Sequence, residues 1–140
     1  MDPIWWPEAS QCVCFLRVIR DPLHPDGKTA YERRWKLKFD GPYIPFGALV
    51  SFLPSNPDDR EAVHPMGSKT LQGVFAGYHQ AVGGMWSGDL YVVPLMHIKE
   101  YNQAKPHCRR ISAGDVYVEK KKGFEKDPEK GFIYPVTKFQ

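Results

Sequence analysis

Lysine and arginine are concentrated in two segments of this 140-residue chain. Residues 28–38 hold five of them against one glutamate, and residues 99–138 hold ten against six acidic residues. Because the net charge is only +3, the rest of the chain is acidic on balance. Such basic segments predict contacts to the phosphates of nucleic acid, and a solvated charged surface is the alternative. The candidate phosphate-binding residues are Arg33, Arg34, Lys36, Lys38, Arg109, Arg110, Lys120, Lys121 and Lys122.

Cysteine and histidine are the residue types that bind zinc, but their spacing here does not favour a site. Cys12 and Cys14 lie in a predicted helix, where side chains two residues apart point about 200° apart. Structural zinc sites use more widely spaced cysteine pairs. Neither His24 nor the dipeptide His107-Cys108 supplies a second pair. We therefore predict no metal or other cofactor, and cysteines that act as small apolar residues.

The sequence contains no recognisable pairing of a nucleophile with a base. Cys108 directly follows His107, and neighbouring side chains on a strand face opposite sides of a sheet. The Gly-x-Ser-x-Gly, phosphate-binding-loop and His-Glu-x-x-His patterns are absent. The prediction is a protein that is not an enzyme.

Three aromatic residues form a second candidate site. Tyr78 and Trp86 lie on either side of the Gly83-Gly84 turn, and Tyr91 follows closely. Aromatic rings at strand ends can stack on nucleic-acid bases or enclose a methylated lysine. The alternative is that these rings, like most aromatics on strands, belong to the core.

The elements that must position these residues are short. Hydrophobic residues make up 42% of the chain, which predicts a single globular domain. The 12 glycines and 13 prolines indicate many turns and a largely β structure. Three cysteines without a secretory signal indicate an intracellular location. The longest apolar run is too short for a membrane helix, so no membrane partner is predicted.

The first 40 residues predict a helical arm. A helix over about 5–20 begins near Pro7 and ends at Asp21-Pro22. A second helix begins at Thr29, because Thr-x-x-Glu is a capping-box pattern, and ends near Trp35. The predicted apolar stripe of the first helix consists of Trp5, Ala9, Cys12, Leu16 and Ile19.

Residues 41–140 predict a small SH3-like five-stranded barrel with a basic C-terminal extension. Short strands interrupted by glycine cannot build a large sandwich, and a barrel removes their edges. Gly73 and Gly77 indicate a bulge or a close approach of backbones. The predicted strands are 46–53, 71–79, 89–98, 111–119 and 132–136.

Several motifs together resemble one family. Lys-Thr-Ala-Tyr-Glu at 28–32, followed by Pro-Phe-Gly at 45–47, resembles the segment after the integrase catalytic core of copia-type retrotransposon polyproteins. In that family Lys-Thr-Pro-Tyr-Glu precedes a Phe-Gly-Cys strand, so Ala30 and Ala48 depart from the pattern.

Two further stretches follow in the family's order. Gly-Val-Phe-Ala-Gly-Tyr at 73–78 is similar to the family's Gly-Ile-Phe-Leu-Gly-Tyr strand, and residues 83–89 resemble a Gly-Gly-x-Trp-x-Gly-Asp variant. Trp-Trp-Pro-Glu-Ala at 5–9 is similar to the start of the last helix of the integrase core. The resemblance covers roughly residues 5–98 and fades after Ile98.

The resemblance implies a non-catalytic module. The acidic residues that hold the catalytic metal ions of the family lie upstream of the Trp-Glu-Ala helix, where this chain is expected to begin. Residues 46–119 then correspond to the SH3-like domain after the core, which contacts DNA or neighbouring subunits in related integrases. The expected function is nucleic-acid or subunit binding, in the nucleus if the chain still belongs to an integrating element.

Two alternatives remain open. One is a structural subunit of a larger assembly that docks protein or RNA through the apolar stripe of its first helix. A methyl-lysine reader is the other alternative, and it requires three aromatic rings that converge at one mouth of the barrel.

Overall fold

Two α-helices and a five-stranded antiparallel sheet form within the residues that the computed structural model describes, which are 5–22, 25, 27–54, 70–95, 108–124 and 130–134. The strands are ordered β4-β3-β2-β1-β5 across the sheet. The fold is therefore mainly β with N-terminal helices, as the sequence predicts. The elements are α1 (Trp6–Arg20), α2 (Ala30–Trp35), β1 (Leu49–Phe52), β2 (Leu71–Gln80), β3 (Trp86–Pro94), β4 (Arg109–Ser112), a 3-10 turn (Ala113–Asp115) and β5 (Val116–Val118).

Helix α1 confirms the predicted first helix. Pro7 lies in its first turn, where a missing N–H costs nothing, and Asp21 leaves the helical conformation just before Pro22. Of the five predicted stripe residues, Trp5, Cys12 and Ile19 are buried, and Ala9 and Leu16 are half-buried, with Leu16 packed against the core. Phe15, which the stripe does not include, is buried as well. The buried residues at this end of the chain are Trp5, Cys12, Phe15 and Ile19.

Strand β2 is the centre of the sheet and pairs with β1 on one side and β3 on the other. A Cβ atom on Gly73 would lie 2.6 Å from Val92 Cγ1 and 2.9 Å from the Val93 carbonyl oxygen, so only glycine allows these strands to approach. The register shifts between Phe75 and Gly77. Both predicted roles of the strand glycines, close approach and irregular pairing, are confirmed.

The predicted strands at the C-terminal end need two corrections. The single strand expected over 111–119 is two strands, β4 and β5, separated by the 3-10 turn. In place of the expected strand 132–136, Phe132 forms an isolated bridge with Lys120, and residues 135–136 lie outside the described part. Because β4 and β5 are the two edges of the sheet, closure into a barrel is not confirmed.

The main core joins α1, α2 and the sheet. Phe15 of α1 packs against Tyr31 of α2 and Tyr78 of β2, with ring centroids 6.3 and 4.8 Å apart. Phe39 contacts all three of these rings. The helical arm and the sheet therefore share one hydrophobic cluster. A smaller cluster contains Trp5, Val74, Ala76 and Val93.

Candidate nucleic-acid interface

Helix α2 positions the first basic segment. Its N-terminus is capped by Thr29, whose Oγ1 accepts a hydrogen bond from the Glu32 N–H at 3.2 Å. Its C-terminus is closed by Lys36, whose N–H donates to the Glu32 carbonyl oxygen at 2.9 Å. Tyr31 is buried and anchors the helix to the core. The predicted capping threonine is therefore confirmed, and six residues suffice to hold the helix in place.

Four cationic side chains line one surface concavity beside α2, which we name the basic groove. It has a volume of about 470 Å³ and is lined by Lys28, Glu32, Arg33, Lys36, Leu37 and Lys38. Three of the predicted phosphate-binding residues, Arg33, Lys36 and Lys38, are thus brought together. Lys28 joins them although it is not among the sequence candidates, and its position within the basic segment is the signal that could have identified it.

Arg34 faces a different concavity. Consecutive helix residues are rotated by about 100°, so Arg34 does not share the face of Arg33. Its guanidinium carbon lies over the ring of Trp35, 4.9 Å from the centroid. Both residues line a second concavity of about 490 Å³ between α1, α2 and the turn from β2 to β3, which we name the apolar groove. Its lining includes Cys14, Phe15, Val18, Tyr31, Gly83 and Gly84.

The second basic segment does not form one patch. Its arginines, Arg109 and Arg110, belong to β4 at one edge of the sheet. Its lysines, at 120–122, follow β5 at the opposite edge.

Arg110 and Lys120 of this second segment each contact another residue of the described chain. Arg110 Nε is paired with Asp89 Oδ2 at 2.6 Å. Lys120 Nζ donates to the Lys130 carbonyl oxygen at 2.8 Å and lies 3.5 Å from the ring centroid of Phe132. Both side chains thus form surface contacts with other parts of the protein.

The predicted aromatic surface is wrong at Tyr78. This side chain is 5% exposed, and its hydroxyl donates to the Pro42 carbonyl oxygen at 2.6 Å and accepts from the Ile44 N–H at 2.8 Å. Burial raises the pKa of the Tyr78 phenol above its ordinary value. Tyr78 is therefore part of the core.

The other two rings are half-buried and lie in different surroundings. Trp86 packs on Phe39 with centroids 5.0 Å apart, and its Nε1 donates to the Asp89 carbonyl oxygen at 2.8 Å. Tyr91 packs against the smaller cluster and contacts the ring of His79, with centroids 5.6 Å apart. The three rings therefore do not converge on one cage.

The cysteines of α1 face different ways. Cys12 is buried, which raises the pKa of its thiol to about 12, whereas Cys14 is exposed at the apolar groove. His24 and His107 lie outside the described residues. Within the described part of the chain, no group of three or more histidine, cysteine or acidic side chains is placed to hold a metal ion. In the same part, no helix combines the length and the apolar character needed to cross a membrane.

Comparison with known proteins identifies no relative. No protein-family model, no curated protein and no solved structure matches the chain. The geometry around α2 is therefore the basis for proposing a function.

Proposed function

We propose that the protein binds nucleic acid without catalysing a reaction on it, and that the basic groove holds the phosphate backbone. The observation that carries this proposal is the convergence of Lys28, Arg33, Lys36 and Lys38 on one concave surface. Cations clustered in a groove displace the counterions condensed on nucleic acid, which gives sequence-independent, salt-dependent binding. Phosphate contacts of this kind orient the ligand and carry no base specificity.

The backbone of Lys36 supports this use of the groove. With φ 59° and ψ 24°, Lys36 is in the left-handed conformation. Glycine or asparagine usually occupies this position after a helix, and other residues adopt it at a cost of about 1–2 kcal/mol. A lysine that is held there despite the strain favours a role for its charge.

The family resemblance adds to the proposal. Residues 28–36 lie within the stretch that resembles the copia-type integrase region, and we propose that the module derives from such an element. Residues 109–122 lie outside that stretch, and there the structure separates the cations. Both considerations favour the basic groove, rather than the second basic segment, as the nucleic-acid binding site.

Neutralising the groove is expected to weaken nucleic-acid binding. The double variant Lys36→Gln/Lys38→Gln should lose roughly tenfold in affinity, and the slope of log K against log salt should become shallower by about 2, because two phosphate contacts are lost. Fluorescence anisotropy with labelled oligonucleotides, titrated at several salt concentrations, measures both quantities.

The matched control is Lys121→Gln/Lys122→Gln, which removes the same charge from two exposed lysines outside the groove. It should leave the salt slope of the wild type unchanged. If wild-type affinity is undetectable at ~50 mM salt, or if the two double variants lose affinity equally, the basic groove is not the binding site.

Replacing Lys36 with glycine is expected to separate binding from stability. Lys36→Gly removes a phosphate contact and also relieves the left-handed strain, which offsets the entropy cost of a glycine of about 0.5–1 kcal/mol. Stability should therefore stay the same or rise by up to about 1 kcal/mol while affinity falls. Lys36→Ala should bind as weakly as Lys36→Gly but have a lower free energy of unfolding, because alanine keeps the left-handed strain. Urea unfolding of the two variants measures this difference. Equal stability of the two variants would contradict the strained conformation of Lys36.

The two alternative functions are less well supported. The apolar stripe of α1 does not need a partner protein, because Cys12, Phe15 and Ile19 are buried against the chain's own sheet. A methyl-lysine reader needs three exposed rings around one cage, whereas Tyr78 is buried and Tyr91 packs against the smaller cluster.

A further inference from the structure

The apolar groove lies on the opposite side of α2 from the basic groove. Its floor is formed by apolar side chains of both helices, including Phe15 and Val18 of α1 and Tyr31 of α2. Among the described residues that line it, Arg34 alone is charged. An occupant that fits this surface presents an apolar face to the floor and negative charge to Arg34.

Trp35 and Arg34 are neighbouring planar side chains in the lining of this groove. The Trp35 ring is half-buried, and the guanidinium of Arg34 lies 4.9 Å from its centroid. The turn after β2 contributes Gly83 and Gly84 to the rim, and a Cβ atom at Gly83 would lie 3.4 Å from the Trp35 ring. Gly83 therefore lies against the indole edge, and Trp35 and Arg34 line the groove together. Aromatic and guanidinium planes are the surfaces on which unpaired bases stack.

We propose that the ligand is single-stranded nucleic acid, with phosphates in the basic groove and one unpaired base inserted into the apolar groove against Trp35 and Arg34. This inference rests on the proposed function, since it assigns a ligand class to the same helix. Both grooves are lined by α2, and residues 33 and 36 face one while residues 34 and 35 face the other. Because a helix with its side chains is about 10–12 Å across, a strand of several nucleotides is needed to reach both grooves, with one base in the apolar groove and neighbouring phosphates in the basic groove. A duplex keeps its bases paired and stacked, so it can use only the basic groove.

The first test compares a short labelled oligothymidine with a duplex of the same length. Trp35→Leu keeps an apolar side chain but removes the stacking face, so it should weaken binding of the single strand roughly tenfold. Duplex affinity and the salt slope should not change. Tyr117→Leu, which removes an exposed aromatic ring from β5, is the matched control and should change nothing.

The second test does not depend on the folding of the Trp35 variant. In a Cys108→Ser protein, Cys14 is the exposed thiol among the described residues, since Cys12 is buried. Reaction of Cys14 with uncharged N-ethylmaleimide places a bulky group in the apolar groove and should remove the preference for the single strand. Excess oligothymidine should in turn protect Cys14 from the reagent.

The outcomes separate the two proposals. If neither probe binds, both proposals fail. If both probes bind with the same affinity, Trp35→Leu changes neither, and oligothymidine leaves Cys14 reactive, the base-insertion inference is overturned while the phosphate proposal stands. If an acidic apolar peptide protects Cys14 and oligothymidine does not, the apolar groove is a protein-docking site and the inference is again overturned.

Discussion

Replacing Phe15 with alanine is expected to destabilise the protein by about 3–5 kcal/mol, the usual cost of removing a buried phenylalanine. Its ring contacts Tyr31, Phe39 and Tyr78, which come from α2, the following loop and the sheet. The substitution therefore leaves a cavity where all three parts meet. Since a domain of this size has a total stability of about 5–15 kcal/mol, much of the chain would unfold at low denaturant. Urea unfolding followed by circular dichroism measures the shift of the midpoint.

Val13→Ala is the matched control on the same helix. Val13 is 48% exposed, and alanine has the higher helix propensity, so the midpoint should move by no more than about 0.5 kcal/mol in equivalent free energy. Equal midpoints for Phe15→Ala and the wild type would contradict the packing of α1 on the sheet, and with it the position of both grooves.

Tyr78→Phe is expected to cost about 1–3 kcal/mol although it removes a single oxygen atom. That oxygen accepts the Ile44 N–H at 2.8 Å and donates to the Pro42 carbonyl at 2.6 Å. Without it, a buried N–H loses its partner, and an unsatisfied buried donor pays its full desolvation cost. Thermal and urea unfolding of the variant should both show the loss.

Tyr117→Phe serves as the control, because Tyr117 is 52% exposed and its hydroxyl can be replaced by water. This variant should unfold at the wild-type midpoint. If Tyr78→Phe also unfolded at the wild-type midpoint, the hydroxyl would not be forming the buried hydrogen bonds with Ile44 and Pro42. The burial of Tyr78 in the core would then be contradicted.

The elements that the sequence predicts correctly are marked by residues at their own ends or along their own length. Pro7 and the Asp21-Pro22 pair bound α1, and the Thr29 cap begins α2, because each acts within one turn of the helix end. The alternation of Val50 and Phe52 in β1 is likewise a local pattern. The 3-10 turn at Ala113–Asp115 was missed because the apolar positions on either side continue as if one strand ran through.

The burial of Tyr78 could not be predicted from neighbouring residues. Its place next to the Gly83-Gly84 turn suggests an exposed strand end. Its hydroxyl partners, however, lie 34 and 36 residues earlier in the chain. Contacts of that separation arise from the tertiary fold, and periodicity along one strand does not encode them.

The candidate site was predicted in part. The charge of residues 28–38 indicates the basic groove, because a short helix keeps neighbouring cations together. The position of Trp35 beside a second groove depends on how α1 and the turn after β2 pack around α2. The pairing of Arg110 with Asp89 likewise depends on the register of β3 and β4. A count of charges alone therefore overestimates how many residues of the second basic segment are available to bind phosphate.

The shortness of α2 has a consequence for how this protein can change. Tyr31 and the two caps hold the helix, and none of these groups faces the basic groove with its side chain except the C-terminal Lys36. The exposed Arg33 on the basic-groove face can therefore be exchanged without disturbing the core, whereas Trp35 on the other face packs against the core. Substitutions that change the charge of the basic groove therefore lie mostly at the ends of α2, at Lys28, Lys36 and Lys38, outside the six residues that pack the helix on the core.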